Sequence, residues 1–170
     1  MKYAVTSNEG PMTVAVKGAS SKDVRISESV RYLGFEWDVT EVLPKAFYGN
    51  GSLETVSISG DLHIGSKAFA GCGGLRSVSA SGQVSMGAYA FAGCTDLENL
   101  DLSTVRTISV SAFSGCTGLS EVSFSEELSD VGTNAFYKVQ FREGGQVLPA
   151  TASDLAGKTF RGSGGVLNRV

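Results

Sequence analysis

Residues 64–78 read Ile64-Gly65-Ser66-Lys67-Ala68-Phe69-Ala70-Gly71-Cys72-Gly73-Gly74-Leu75-Arg76-Ser77-Val78, and the same order of residue types returns 22 residues later. The Ala-Phe pair at its centre stands at Ala46-Phe47, Ala68-Phe69, Ala90-Phe91, Ala112-Phe113 and Ala135-Phe136, in steps of 22, 22, 22 and 23 residues. Other columns keep phase with it. After each of the first four Phe come Gly (Gly49, Gly71, Gly93, Gly115), then Leu (Leu53, Leu75, Leu97, Leu119), then Val or Leu (Val56, Val78, Leu100, Val122). Ile58, Ala80, Leu102 and Phe124 close each unit, and Val42, Ile64, Met86, Ile108 and Val131 stand five residues before the Phe. Chance does not align so many columns.

A unit of 22 residues is too short to close a core of its own. Stacked units bury the repeated apolar columns against one another as a solenoid. The end of each unit, as in Leu97-Glu98-Asn99-Leu100-Asp101-Leu102, alternates apolar and polar residues and reads as a short strand with one buried face. Strands of successive units then align about 4.8 Å apart as a parallel sheet on one face. The expected fold is a solenoid, mostly short strands with little helix and capped at both ends.

These residues resemble the BspA-like (Treponema pallidum type) subclass of the leucine-rich repeats, whose units read approximately I-G-x-x-A-F-x-G-C-x-x-L-x-x-V-x-L. The likeness covers residues 39–141 and implies a leucine-rich repeat solenoid, a right-handed superhelix of the α/β type. Asn50 stands where the other units have Cys, Ser109 stands where they have Gly, and the last unit shortens to Ala135-Phe136-Tyr137-Lys138-Val139-Gln140-Phe141. The shortening places the end of the array there.

Residues 1–38 read as an N-terminal β cap with a degenerate first rung. Tyr3–Thr6 and Met12–Val16 flank Asn8-Glu9-Gly10-Pro11 as a hairpin, and Val24-Arg25-Ile26 imitates the end of a rung. Phe35, Trp37 and Val39 alternate with acids, which puts Trp37 in the cap core. Residues 142–170 read as a C-terminal cap: a helical turn at Thr151–Gly157, then a hairpin whose arms, Lys158-Thr159-Phe160 and Val166-Leu167, flank Gly162-Ser163-Gly164-Gly165.

The chain has 170 residues, 42% of them hydrophobic and 18% charged, which suits one packed domain. Gly is abundant (22) and Pro scarce (3), as short turns between short strands require. No apolar run is long enough for a membrane span, and the first residues lack the apolar core of a signal peptide. The net charge of −3 divides unevenly: residues 1–50 balance, residues 51–130 carry −6 and residues 131–170 carry +3. An acidic array speaks against nucleic acid as a partner.

Several features imitate chemistry without completing it. Cys72, Cys94 and Cys116 occupy one column, and parallel Cβ directions suit bridging poorly; buried free thiols are the reading and a disulfide the alternative. His63 is the sole histidine, lies between Leu62 and Ile64, and so points to solvent, with no partners for a zinc site or a triad. Gly157-Lys158-Thr159 lacks the upstream Gly and following helix of a phosphate loop. Asn50-Gly51-Ser52 fits a glycosylation sequon but sits in the inward Cys column. No catalytic, cofactor or metal residue is assigned.

The polar members of the strands face solvent. They are Thr55, Ser57 and Ser59; Ser77, Ser79 and Ser81; Asn99, Asp101 and Ser103; Glu121, Ser123 and Ser125. Thr55, Ser57, Ser77, Ser79, Asn99, Asp101, Glu121 and Ser123 form the candidate protein-binding face, small, polar and mildly acidic. It lacks the aromatic anchors of strong hot spots. The resemblance implies a non-enzymatic, secreted or cell-surface microbial protein that adheres to host, extracellular-matrix or neighbouring-cell proteins. The alternative is a spacer or assembly unit of a larger surface protein with no dedicated ligand. The oligomeric state is not legible.

Overall fold

The computed structural model describes residues 1–7 and 13–170. Strands β1 (Lys2–Ser7) and β2 (Thr13–Gly18) pair antiparallel, so the expected hairpin arms are present; its loop at Asn8–Pro11 lies outside the described residues. β3 (Asp23–Ile26), β4 (Ser29–Tyr32) and β5 (Phe35–Val42) follow. Each rung then adds two strands: β6 (Thr55–Ser59) and β7 (Leu62–Ile64), β8 (Ser77–Ser81) and β9 (Val84–Met86), β10 (Asn99–Leu102) and β11 (Thr107–Ile108), β12 (Glu121–Phe124) and β13 (Asp130–Val131). The chain closes with β14 (Gln140–Glu143), β15 (Gln146–Leu148), the helical turn α1 (Ala152–Leu155), β16 (Thr159–Ser163) and β17 (Val166–Arg169). The fold is a β-solenoid with almost no helix.

The expected parallel ladder is β3-β6-β8-β10-β12, in register, with Val24, Val56, Val78, Leu100 and Val122 in one row. Val24-Arg25-Ile26 does join it as a rung. A second ladder, not foreseen as a sheet, runs through β2-β5-β7-β9 and resumes as β11-β13. Its buried column is Val42, Ile64, Met86 and Ile108, the residues five before each Phe. Strands of two or three residues carry too little alternation to be read as strands.

Between the ladders each rung turns at Ala-Phe. The five Phe rings stack almost parallel, with centroids 4.8, 4.9, 5.3 and 5.4 Å apart along the series. This spacing is that of the strands, so one period sets both the sheet and the aromatic stack. At the C-terminal end the stack turns edge-on: Phe124, Phe136, Phe141 and Phe160 meet at interplanar angles of 67–90° and close the core.

The turn column just before each Ala-Phe pair, Lys45, Lys67, Tyr89, Ser111 and Asn134, has left-handed backbone, with φ from 54 to 60°. Such geometry in a non-glycine residue costs on the order of 1–2 kcal/mol. Bonds to the next rung hold it: Lys45 N–H donates to Ser66 O at 3.1 Å, Lys67 to Ala88 at 3.1 Å and Tyr89 to Val110 at 3.0 Å.

The second ladder breaks between β9 and β11, and Ser109 stands at the break. In the same column a Cβ on Gly65 would stand 2.5 Å from Pro44 N, on Gly87 2.6 Å from Ser66 N, and on Gly132 2.4 Å from Val110 N. At these three rungs the backbones stand too close for a Cβ, and Gly65, Gly87 and Gly132 donate N–H bonds to Val42, Ile64 and Ile108; Leu43, in the same column one rung earlier, donates to Val16 O at 2.8 Å. Ser109 carries a Cβ, and its hydroxyl donates to the Met86 carbonyl in place of the backbone amide.

The cysteines are free and buried. Each thiol donates to the carbonyl of the Phe 25 residues earlier: Cys72 to Phe47 at 3.0 Å, Cys94 to Phe69 at 3.3 Å and Cys116 to Phe91 at 3.2 Å. Burial pushes the Cys72 thiol up to about 12, and contact with the Cys116 thiol together with burial pushes Cys94 up as well. Thiolate is the reactive form. A thiol reagent is therefore expected to label few cysteines in native protein and all three after unfolding; rapid labelling of native Cys94 would contradict a closed column. Where the first unit has Asn50, its side-chain oxygen instead accepts from Ser52 N and Oγ, both at 3.1 Å.

Two expectations are corrected. Ser125 is buried, not solvent-facing: it is 6% exposed, and its carbonyl and hydroxyl accept from Gly157 N and Glu127 N. Of the Phe35, Trp37, Val39 alternation, Val39 is buried and Trp37 is partly buried against the core, but Phe35 is 59% exposed.

The C-terminal segment behaves locally as its sequence indicates. Thr151 and Asp154 form a capping box that starts α1. β16 and β17 form the expected hairpin, with Ser163 opposite Val166 across Gly164-Gly165. The sheet does not end with the array: β12 pairs antiparallel with β16, and β17, β14 and β15 extend it to nine strands.

Candidate protein-binding face

Two registered rows cross the polar face of the nine-stranded sheet. One runs Asp23, Thr55, Ser77, Asn99, Glu121, Arg161, and the other Arg25, Ser57, Ser79, Asp101, Ser123, Thr159. Alternation places them outward because Val56, Ile58, Val78, Ala80, Leu100, Leu102, Val122 and Phe124 fill the core beneath. Ser77, Ser79, Asn99, Asp101, Glu121 and Ser123 line one shallow depression of about 320 Å³, with Val78 and Leu100 at its floor. Thr55 and Ser57 lie one rung outside it.

The hydroxyls are partly engaged along the rows. Thr55 donates to Asp23 Oδ1 at 2.6 Å, Ser57 and Ser79 hydroxyls meet at 3.5 Å, and those of Ser123 and Thr159 at 3.1 Å. Asp101 accepts from the Ser103 N–H at 3.0 Å. Glu121 is not free: Arg161 Nη2 donates to its Oε1 at 2.8 Å. The guanidinium holds the Glu121 carboxyl below the usual carboxylate range. Asp101 and Glu121 are also diagonal rather than opposite, since Asp101 faces Ser123 and Glu121 faces Asn99. Of the two acids, Glu121 is thus in an ion pair, while Asp101 accepts a backbone bond and has no cationic partner among the described residues.

Arg161 is the residue that repeat reasoning missed. It lies outside the periodic columns, and its place on the face follows from the antiparallel pairing of β16 with β12. A signal existed: Phe160 and Leu167 are the inward members of the terminal hairpin, so Arg161 must point outward. Beyond it the row continues through Asn168, Arg142 and Val147, so the face passes from acidic to basic.

The features that imitated chemistry resolve plainly. His63 is exposed and its Nδ1 lies 3.0 Å from the Ser85 hydroxyl. Lys158 precedes β16 rather than a helix, and its ammonium donates to Glu143 at 2.9 Å. Glu143 also accepts from Arg169, and these contacts, Lys158 first, hold its carboxyl below the usual range. Among the described residues no helix is long and apolar enough to cross a membrane.

A second concave surface lies at the opposite end. Tyr3, Val5, Val14, Val30, Arg31, Tyr32, Leu33, Phe35 and Trp37 line an apolar groove of about 690 Å³ on the N-terminal sheet.

A stacked solenoid whose rungs repeat Ala-Phe, Gly-Cys and Leu-x-x-Val belongs to the BspA type leucine rich repeat region, whose profile matches residues 40–164 in six copies. The chain is a member of that family. It is similar to the crystal structure of a leucine-rich repeat protein of T. pallidum, at 23% identity and a TM-score of 0.63, covering 91% of this chain and 76% of that one. It is also similar to a leucine rich cell surface protein of Faecalibacterium prausnitzii, at 17% identity and a TM-score of 0.52, covering 83% of this chain and 46% of that one. These likenesses establish the fold. No curated protein matches the chain significantly. Repeat families of this kind are consistent with a protein-binding module.

Proposed function

We propose that this chain is a non-enzymatic protein-binding module of a secreted or cell-surface microbial protein, adhering to host or neighbouring-cell proteins through the polar sheet face. The observation that carries the reading is the depression shared by three successive rungs, where six registered side chains converge. The description of the F. prausnitzii relative as a cell surface protein supports the location. Asp101 and the Glu121–Arg161 pair offer a carboxylate and a polarised ion pair among small hydroxyls, a surface for a polar segment with a basic group.

Exposed ion pairs contribute roughly 0.2–1 kcal/mol each. The change Asp101→Ser is therefore expected to weaken partner binding severalfold, more at low salt than at moderate salt. Glu121→Ser releases Arg161 and, with Asp101, takes the local charge from −1 to zero. A pull-down against a panel of extracellular-matrix proteins, repeated with both variants, tests the assignment. Affinity unchanged by either variant at low salt would move the site off this face. A second reading, an assembly unit whose ends carry the contacts, is favoured by one observation: Tyr3, Tyr32 and Phe35 are exposed on the N-terminal sheet, while the other exposed aromatics, Tyr48, Tyr89 and Tyr137, lie in rung turns and none is on the polar face.

A further inference from the structure

We propose that the N-terminal apolar face joins two copies of this chain cap to cap. Register puts Val30 opposite Trp37, Tyr32 opposite Phe35, Val39 opposite Val14 and Val14 opposite Val5, so these side chains share one face of the twisted sheet. Val14 and Val39 on that face are buried and Val30 and Trp37 pack against the core, but its outer part is open among the described residues: Tyr3 is 37% exposed, Val5 63%, Tyr32 65%, Leu33 78% and Phe35 59%. Scattered exposed apolar residues need no account, but a contiguous patch does.

Leu33 is the least economical residue of the patch. It occupies the two-residue turn Leu33-Gly34 between β4 and β5, with φ of 51° at Leu33 and 85° at Gly34. Asn, Asp or Gly is favoured at both places. A leucine there is strained, gains no burial within the chain, and makes sense where a partner covers it.

The occupant follows from area and charge. Aromatic side chains bury roughly 150–250 Å² each, so the exposed parts of this patch amount to roughly 500–600 Å² per copy. Two copies together reach roughly 1,000–1,200 Å², the lower end of specific interfaces. β1 ends its sheet, and its open edge faces the same end of the molecule. Residues 1–50 carry equal numbers of positive and negative side chains, while residues 51–130 carry −6. Cap-to-cap contact therefore sets neutral surfaces together and points the acidic arrays apart. The dimer displays two polar faces, which strengthens weak contacts by raising effective concentration; self-association itself does not depend on what those faces bind.

Sedimentation of the full chain from micromolar to near-millimolar concentration tests this. The expected result is a concentration-dependent dimer that Val5→Lys plus Phe35→Lys weakens by roughly 30-fold or more. Leu33→Asp is the companion variant, because Asp suits the turn and the fold should survive or gain; it is expected to weaken the dimer as well. Asp101→Ser, on the other face, should leave the dimer unchanged. A wild-type chain that stays monomeric throughout overturns the proposal and leaves the groove to a foreign partner or none. A dimer unaffected by Leu33→Asp and by the double lysine variant places the interface elsewhere and overturns it equally.

Discussion

Replacing Phe91 by Ala is expected to destabilise the protein by about 3–5 kcal/mol. The ring is fully buried and lies between Phe69 at 4.9 Å and Phe113 at 5.3 Å. Its removal takes away the transfer term and leaves a cavity whose walls are themselves rung side chains fixed by the ladders, so collapse is limited. Both neighbouring rings lose a stacking partner. Phe47, with one ring neighbour in the series, should lose less under the same change. Urea denaturation measures the difference. A cost below about 1 kcal/mol at Phe91 would mean that the stack is not what unites the rungs.

Introducing Ser at Gly87 is expected to cost about 1–3 kcal/mol and to separate β7 from β9. The new Cβ would stand 2.6 Å from Ser66 N and 2.9 Å from Gly65 C, which are backbone atoms that cannot step aside. The chain already contains this arrangement one rung later, where Ser109 coincides with the break between β9 and β11. Hydrogen exchange should show the Gly87 amide, which donates to Ile64 O at 2.6 Å, losing protection in the variant. Retained protection with unchanged stability would show that the rungs tolerate a Cβ in this column and that the break has another cause.

The repeat itself was legible because a solenoid makes every rung solve the same packing problem. Phe69, Phe91 and Phe113 occupy equivalent sites, so their period in the sequence is the period of the core. The outward row Thr55, Ser77, Asn99, Glu121 was legible for the same reason, as the alternate of a buried row. The short strands of the second ladder were not, because two or three residues show no alternation. The left-handed column Lys45, Lys67, Tyr89 carried no signal either, since none of these is Gly and the conformation is held by carbonyls of the next rung.

The amino-acid sequence alone determined the solenoid, its inward column, most of its outward one and the family, because each depends on contacts that recur at one fixed separation. Only the tertiary structure decided the state of the ends. Arg161 reaches Glu121 across 40 residues with no periodic precedent, which turns a free acid into an ion pair. Phe35 alternates as a core residue should, yet 59% of it is exposed, because it lies at the start of β5, beside the β4–β5 turn, where none of the described residues covers it. Period predicts what a neighbour of the same kind will cover; at a terminus that neighbour is missing, and burial is settled by which unrelated segments happen to meet.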